Sequence, residues 1–439
     1  MNKKIYFCLC IIFIALMSGC DNSTYYEQTS WDATTEADGL EVSNELEMYE
    51  NYVLPTELEA PEEFDENMAK TARGANDFAF RLSAQLVQNI EYENFVFSPY
   101  SVWLPLASLL NATDEANADL LSEILTGTNA SAHDVNRASS RMLYNLIAQE
   151  NSPLKIANAI FVDDNLTLRN DFIDAFMNFY RGTATDVDFT DPETVDIVNL
   201  WVYEQTNGLI PRIVGTFCPA TVLAILNAIY FYDSWEHEFV PGSTSQRPFY
   251  SPSGTGYVPF MICEFMTRPY FEDDFVQATR LGFYNGGGMF IILPRSGDAV
   301  DFLANMTLEY FEYIHYNAAE FAIRLELPKF AIESTLDNLD TALTELGIPL
   351  FCGVKAPLTN SLVYENNRLW VTSALQKAMI DVNEQGTTAA AVTMMVIGES
   401  LPPPAQFEMI CNTPFVFVLY QDTFDGGKQV LFVGVVNEP

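Results

Sequence analysis

E-Q-G-T-T-A-A-A-V-T-M-M-V-I-G-E-S-L-P-P-P, residues Glu384 to Pro404, decides the fold. From Gly386 to Gly398 it carries no charge and no proline, only small or strand-forming side chains. That suits a strand entering the middle of a sheet, where an unpaired charge cannot be buried and each proline would delete a ladder donor. At Glu399 the tract stops, and Pro402, Pro403 and Pro404 make a stiff extended exit. An ordinary buried strand is the commoner source of such a composition. Two details favour a mobile one: the Ala389-Ala390-Ala391 run has poor strand propensity, and Gly386 stands where a hinge belongs. Once inserted, Thr387, Ala389, Ala391, Thr393, Met395 and Ile397 share one face, growing from small to large along the strand.

The hinge stretch Asn383 to Thr393, N-E-Q-G-T-T-A-A-A-V-T, resembles the hinge signature of the serpins, the family of suicide protease inhibitors. Other motifs agree, in consistent order. Asn94 to Ser101, N-F-V-F-S-P-Y-S, is a short strand feeding a helix with Ser98 as cap and Pro99 in its first turn. Pro105 is expected to bend that helix or break a turn. Leu154 to Phe161 (L-K-I-A-N-A-I-F) and Leu223 to Tyr232 (L-A-I-L-N-A-I-Y-F-Y, followed by Trp235) read as buried strands similar to family elements. So do the helix around Asn199-Leu200-Trp201-Val202, capped at Asp191 and stopped at Asn207-Gly208, and the segment Leu327-Pro328-Lys329-Phe330. Further expectations are a helix capped by Asn76, helices over 170–180 and 336–346, a hairpin over 280–293 turning at Asn285-Gly286, a long strand Trp370 to Asn383, and a final hairpin ending at Val436.

The resemblance runs from about Met68 to Pro439. It implies one α+β domain of three β-sheets and eight or nine helices, with a reactive loop that inserts as a strand in the main sheet. It also assigns Glu384, Gly386, Thr387, Thr388, Ala389, Ala390, Ala391 and Thr393 to the hinge, Thr388 replacing the family's glutamate. Ser98, Ser101, Asn227 and Gln376 become a polar shutter controlling sheet opening. Gln376 stands where most members carry histidine; it can donate and accept, but any pH response of that position is lost. Family loop length counted from Glu384 places the cleaved bond between Ser400 and Leu401, with Glu399–Ser400 as the alternative. Val396, Ile397, Gly398 and Ser400 suit elastase-like or subtilisin-like proteases, and the absence of Lys and Arg disfavours trypsin-like ones.

Upstream, Lys3 and Lys4 precede an apolar run, Ile5 to Met17, too short to span a bilayer and laid out as a secretory leader. Leu16-Met17-Ser18-Gly19-Cys20 resembles a lipoprotein cleavage box, so residues 1–19 are expected to be removed and Cys20 to carry lipid. Residues 20–67, acidic and without a single Lys or Arg, read as a disordered tether. The expected location is the bacterial cell envelope, outside the cytoplasm, with membrane contact through the lipid only.

A net charge of −38 argues against nucleic acid and anionic lipid surfaces. Cys218, Cys263, Cys352 and Cys411 are widely spaced, so no zinc site is expected; free thiols are the favoured state and pairing stays open. His133, His237 and His315 show no partner spacing for a catalytic triad, and no nucleophile-elbow, metalloprotease or phosphate-loop motif is present. The expectation is therefore no cofactor, no metal and no catalytic residue: a monomeric inhibitor whose partner is a serine, possibly cysteine, endopeptidase held covalently. A non-inhibitory serpin acting as a binding or structural surface protein is the alternative, and an exported hydrolase a distant third.

Overall fold

Asp65 starts the first helix: its carboxylate accepts the Met68 amide at 2.9 Å, and α1 (Glu66–Leu86) lays Phe78, Leu82 and Leu86 into the core. It begins inside the stretch read from sequence as tether. Asn76 is not the cap. It lies mid-helix and reaches β15 (Lys428–Val436), donating to the Lys428 carbonyl at 2.7 Å and accepting from the Val430 amide at 3.0 Å. The computed structural model describes residues 8–17, 64–90, 92–147, 152–206, 208–351, 358–360, 369–386, 405–423 and 426–439. Cys20, Asn207, Cys352 and, in the reactive tract, Thr387, Thr388, Ala389, Ala390, Ala391, Thr393, Glu399, Ser400 and Leu401 lie outside them.

After α1 come β2 (Phe95–Phe97) and α2 (Pro99–Ser108). Ser98 caps α2, its Oγ accepting the Ser101 amide at 3.3 Å, and the helix continues through Pro105 to end one turn later. Next are α3 (Glu115–Thr126), α4 (Ala132–Ile147), β3 (Leu154–Asp163), α5 (Asn170–Tyr180), β4 (Gly182–Val187), α6 (Glu193–Gln205) and β5 (Thr221–Phe231). The second half holds β6 (Ser245–Ser251), β7 (Gly254–Glu272), β8 (Val276–Gly282), β9 (Gly288–Pro294), α7 (Ala299–Ala304), α8 (Leu308–Asn317) and β10 (Ala319–Pro328). It closes with β11 (Phe330–Leu336), α9 (Leu339–Glu345), β12 (Trp370–Val382), β13 (Phe407–Ile410), β14 (Phe415–Asp422) and β15. The helix expected over 336–346 is thus shorter, because strand pairing with β12 holds the chain extended to Leu336.

The fold is α+β, with nine α-helices among the described residues and three sheets. The 19-residue β7 joins two of them: its first part pairs β6, its stretch from Phe260 to Tyr270 pairs β10, with β13 beyond, and its end pairs β8 and leads through β9, β14 and β15 to β2. The main sheet has the order β11-β12-β1-β5-β3-β4, where β1 is Cys8–Met17. Sequence reading put that segment in a leader, not in a sheet.

Burial on both faces explains the unbroken apolar reading of β5. Leu223, Ile225, Ile229 and Phe231 face the large core shared with α1 and α2, while Ala224, Leu226, Ala228 and Tyr230 face a smaller core with Val198, Trp201 and Val202 of α6. Asn227 falls on the large-core side by alternation. So do Asn158 of β3, beside Ile160 and Val162, and Gln376 of β12, beside Ala374 and Ala378.

Candidate functional site

Buried amides on one face of the main sheet must find partners, and α2 supplies them. The Gln376 carboxamide clamps Ser98: its Oε1 accepts the Ser98 amide at 3.0 Å and its Nε2 donates to the Ser98 carbonyl at 2.9 Å. Ser101 donates its hydroxyl to Asn227 Oδ1, and Asn227 Nδ2 donates to Asn158 Oδ1 at 2.8 Å. Asn158 passes the chain on, donating to the Tyr180 carbonyl at 2.7 Å. Ser98, Ser101, Asn227 and Gln376 are all fully buried. One helix N-terminus therefore bridges β12 on one side and β5 on the other. Asn158 went unassigned at the sequence level, although it shows the signal that marked Asn227: an asparagine in an otherwise apolar strand, paired directly with Asn227.

Between the two halves of this network runs β1. It is antiparallel to both neighbours, pairing from Leu9↔Met379 to Met17↔Trp370 on one side and from Cys8↔Phe231 to Met17↔Thr221 on the other. Ile12 stands opposite both Gln376 and Asn227. Because β1 is antiparallel to each, β5 and β12 run parallel to one another.

Near the hinge-proximal ends of β5 and β12 lie Asn383 to Gly386, where the expected hinge begins. The Trp235 indole donates to the Asn383 carbonyl at 2.9 Å and its ring stacks on Phe283 at 5.0 Å between centroids. The Trp235 and Phe239 amides donate to the carbonyls of Gln385 and Glu384 at 3.1 and 2.8 Å. Glu384 is largely buried and receives Lys329 Nζ and Thr244 Oγ1, each at 2.8 Å. Burial pushes its carboxyl up, but these bonds outweigh it and hold the group below the ordinary glutamate range. Beside it, burial holds the Asp233 carboxyl above the aspartate range despite two bonds from Asn285, at 3.1 and 2.9 Å.

Gly386 bridges Ser234 with φ +108°, and a Cβ there would lie 2.5 Å from the Trp235 nitrogen and 2.7 Å from the Ser234 Cα. Only glycine fits both the dihedral and the space. The described chain resumes at Ala405, and the Gln406 amide donates to the Ala322 carbonyl at 2.7 Å before β13 joins β10. The described residues on either side of positions 387–404 are thus each tied to neighbouring strands or loops.

Of the cysteines, Cys218, Cys263 and Cys411 are free thiols. His133 and His237 are exposed, and His315 packs between Phe290 and Tyr420. Among the described residues no group of His, Cys, Asp and Glu could hold a metal ion, and no helix is long and apolar enough to cross a membrane.

A family model described as Serpin (serine protease inhibitor) matches residues 73–439. A serpin-like protein of Thermococcus kodakarensis is 32% identical over 381 residues, covering 83% of this chain and 84% of that protein. Plasminogen activator inhibitor 1 of Mus musculus is 31% identical over 387 residues, covering 84% and 92%. Among solved structures, the thermophilic serpin tengpin in its native state gives a TM-score of 0.76 at 26% identity, covering 88% of this chain and 98% of that one.

Proposed function

This chain belongs to the serpin family, most of whose members inhibit proteases, and we propose that it is an irreversible suicide-substrate inhibitor of elastase-like or subtilisin-like serine endopeptidases. The observation that carries the reading is the slot: two buried strand edges, β5 and β12, that accept a strand antiparallel to both, headed by the hinge glycine of an uncharged tract.

The chemistry is the target's. Its serine hydroxyl adds to the Ser400 carbonyl, the Leu401 nitrogen leaves as an amine with the proton, and an ester joins Ser400 to the protease. Cleavage releases the tract from its second anchor at Gln406. It then enters from Gly386 downward, carrying the acylated protease along. Sheet geometry supplies a driving force. Without a strand in the slot, β5 and β12 can satisfy their edges only by pairing in parallel, whereas an inserted strand forms two antiparallel ladders, which are more stable per residue and twice as many. The Ser98–Gln376 and Ser101–Asn227 bonds hold the two edges to one helix and limit their separation. Lipid attachment at Cys20, with the domain held outside the cytoplasm as a monomer, completes the proposal.

The test is to mix the chain from residue 64 onward with an elastase and with subtilisin, then take an intact mass and a denaturing gel. A covalent complex together with a released peptide beginning at Leu401 is expected. A peptide beginning at Ser400 moves the bond to Glu399–Ser400. Cleavage with no surviving complex defeats the inhibitor reading for these proteases. One observation favours the non-inhibitory alternative: a slot filled by β1 has no room for the tract. Under that alternative, cleavage brings no gain in heat stability.

A further inference from the structure

Where β7 passes from one sheet to the other, its pairing with β8 breaks off. The ladder runs Glu272↔Gln277, Phe271↔Ala278, Tyr270↔Thr279 and stops at Pro269, which has no N–H to give. The Pro269 carbonyl accepts the Thr279 hydroxyl instead, at 2.9 Å. Past that point residues 267–269 of β7 and 280–282 of β8 line a cavity of about 200 Å³. Trp235 closes it, tied in place because the next amide, that of Glu236, donates to the Gly282 carbonyl at 2.8 Å. Two arginines line this cavity, Arg268 and Arg280, and the Nε–H of each is buried without an acceptor. Arg268 is only 7% exposed. Its Nη2 donates to Cys263 Sγ at 3.6 Å, a weak acceptor that steadies the side chain without neutralising it. Two exposed carboxylates, Glu236 and Glu320, line the same cavity, yet among the described residues neither forms an ion pair with either guanidinium.

We propose that this cavity binds a small carboxylate on the guanidinium of Arg268, with Arg280 as the second positive charge, and that an occupied cavity steadies the segment Asn383 to Gly386. A buried guanidinium with an unsatisfied donor calls for an anion, and its planar fork matches the two oxygens of a carboxylate. Size and charge narrow the choice. The volume is below the roughly 300 Å³ at which drug-sized ligands are held, so the ligand has few heavy atoms. Positive charge lies at the buried side and negative charge at the exposed side, so a dianion such as phosphate meets twice the repulsion from Glu236 and Glu320 that a monoanion does. The link to Asn383 runs through Trp235: it lines the cavity, and its indole and amide hold the Asn383 and Gln385 carbonyls. None of this rests on the inhibitor reading above.

The test titrates acetate, and separately inorganic phosphate, into the full chain at fixed ionic strength, each replacing chloride, and reads the heat of binding. Saturable binding of acetate at one site is expected, with phosphate at least about threefold weaker. Arg268→Met should weaken acetate at least about tenfold. Glu320→Gln, a substitution at an exposed position, should strengthen acetate at least about twofold and narrow its lead over phosphate. No saturable acetate binding below about 100 mM means that water alone fills the cavity and overturns the proposal. Binding that Arg268→Met leaves unchanged lies elsewhere and overturns it as well, and phosphate as tight as acetate overturns the choice of a carboxylate. If Arg268→Met does not fold, Glu320→Gln decides, and an affinity no higher than the parent's overturns the site. Deuterium exchange reads the second half of the proposal: saturation with acetate should slow exchange of the peptide spanning Asn383 to Gly386 at least about twofold, and unchanged exchange overturns its link to the cavity.

Discussion

Gln376 and Glu384 hold the two ends of the mechanism by single side chains, and both can be tested alone. Gln376→Ala leaves the Ser98 amide buried without its partner and removes a donor from the Ser98 carbonyl. An orphaned buried group costs about 1–3 kcal/mol, and equilibrium urea unfolding should show a loss of that size with an unchanged m value. Tract insertion should quicken in the same variant, because one of the two ties between α2 and the slot edges is gone. Glu384 and Lys329 form the second test. A double-mutant cycle with Glu384→Gln and Lys329→Met should return a coupling of about 0.5–3 kcal/mol. The sign with pH follows from the depressed carboxyl. Its stabilisation is full above the unfolded value of 4.5 and is lost as pH falls through the lower folded value. Glu384→Gln should flatten that part of the acid limb. Agreement of the two acid limbs, with no coupling in the cycle, would show that the pair contributes nothing.

Among elements, the proposed mechanism has the hinge and the slot set the outcome of cleavage. Ala391→Arg should leave the cut after Ser400 intact but put a charge on the inserted face, at a cost of several kcal/mol if buried. Complex yield per cleaved chain should then fall at least about tenfold, read as the molar ratio needed to silence a fixed amount of protease. An unchanged ratio would mean that the tract inserts no further than Ala390. The elements also show what was legible in the residues. β5 and β12 were readable because burial on both faces and a long strand leave compositional marks. Asn158 carried the same mark as Asn227, but its pairing with Asn227 and with the Tyr180 carbonyl at the end of α5 is set by how strand and helix pack, which no local pattern reveals. Asn76 misled for a related reason: asparagine before a periodic stretch fits a cap, yet its carboxamide serves β15, more than 350 positions away in sequence. The run Cys8–Met17 has no alternation to separate strand from helix, and its neighbours, β5 and β12, are supplied by the fold alone.

At the scale of the molecule, the pH dependence of stability should be set on its acid side by His315 as well as by Glu384. His315 lies against Phe290 and Tyr420 with its Nδ1 buried and unpartnered, and Lys428 and Arg280 stand near. Desolvation, helped by those two cations, lowers its pKa to about 4 from the model-compound value of 6.5. The folded state therefore holds the ring neutral where the unfolded chain protonates it. Stability from this group is full above pH 6.5, declines as pH falls, and is lost once pH passes about 4. Asp233 and Asp381 act in the opposite sense. Their burial raises the folded carboxyl above 3.8, so the stability they confer is present below that value and is lost as pH rises through the raised one. Between pH 6.5 and 5 the slope should thus carry the mark of His315. Unfolding midpoints of the parent and His315→Asn, measured in steps across that range, should converge as pH falls, because only the parent takes up a proton on unfolding. Parallel profiles would mean that the imidazole titrates alike in both states and that its contacts with Phe290 and Tyr420 do not exclude the charged ring.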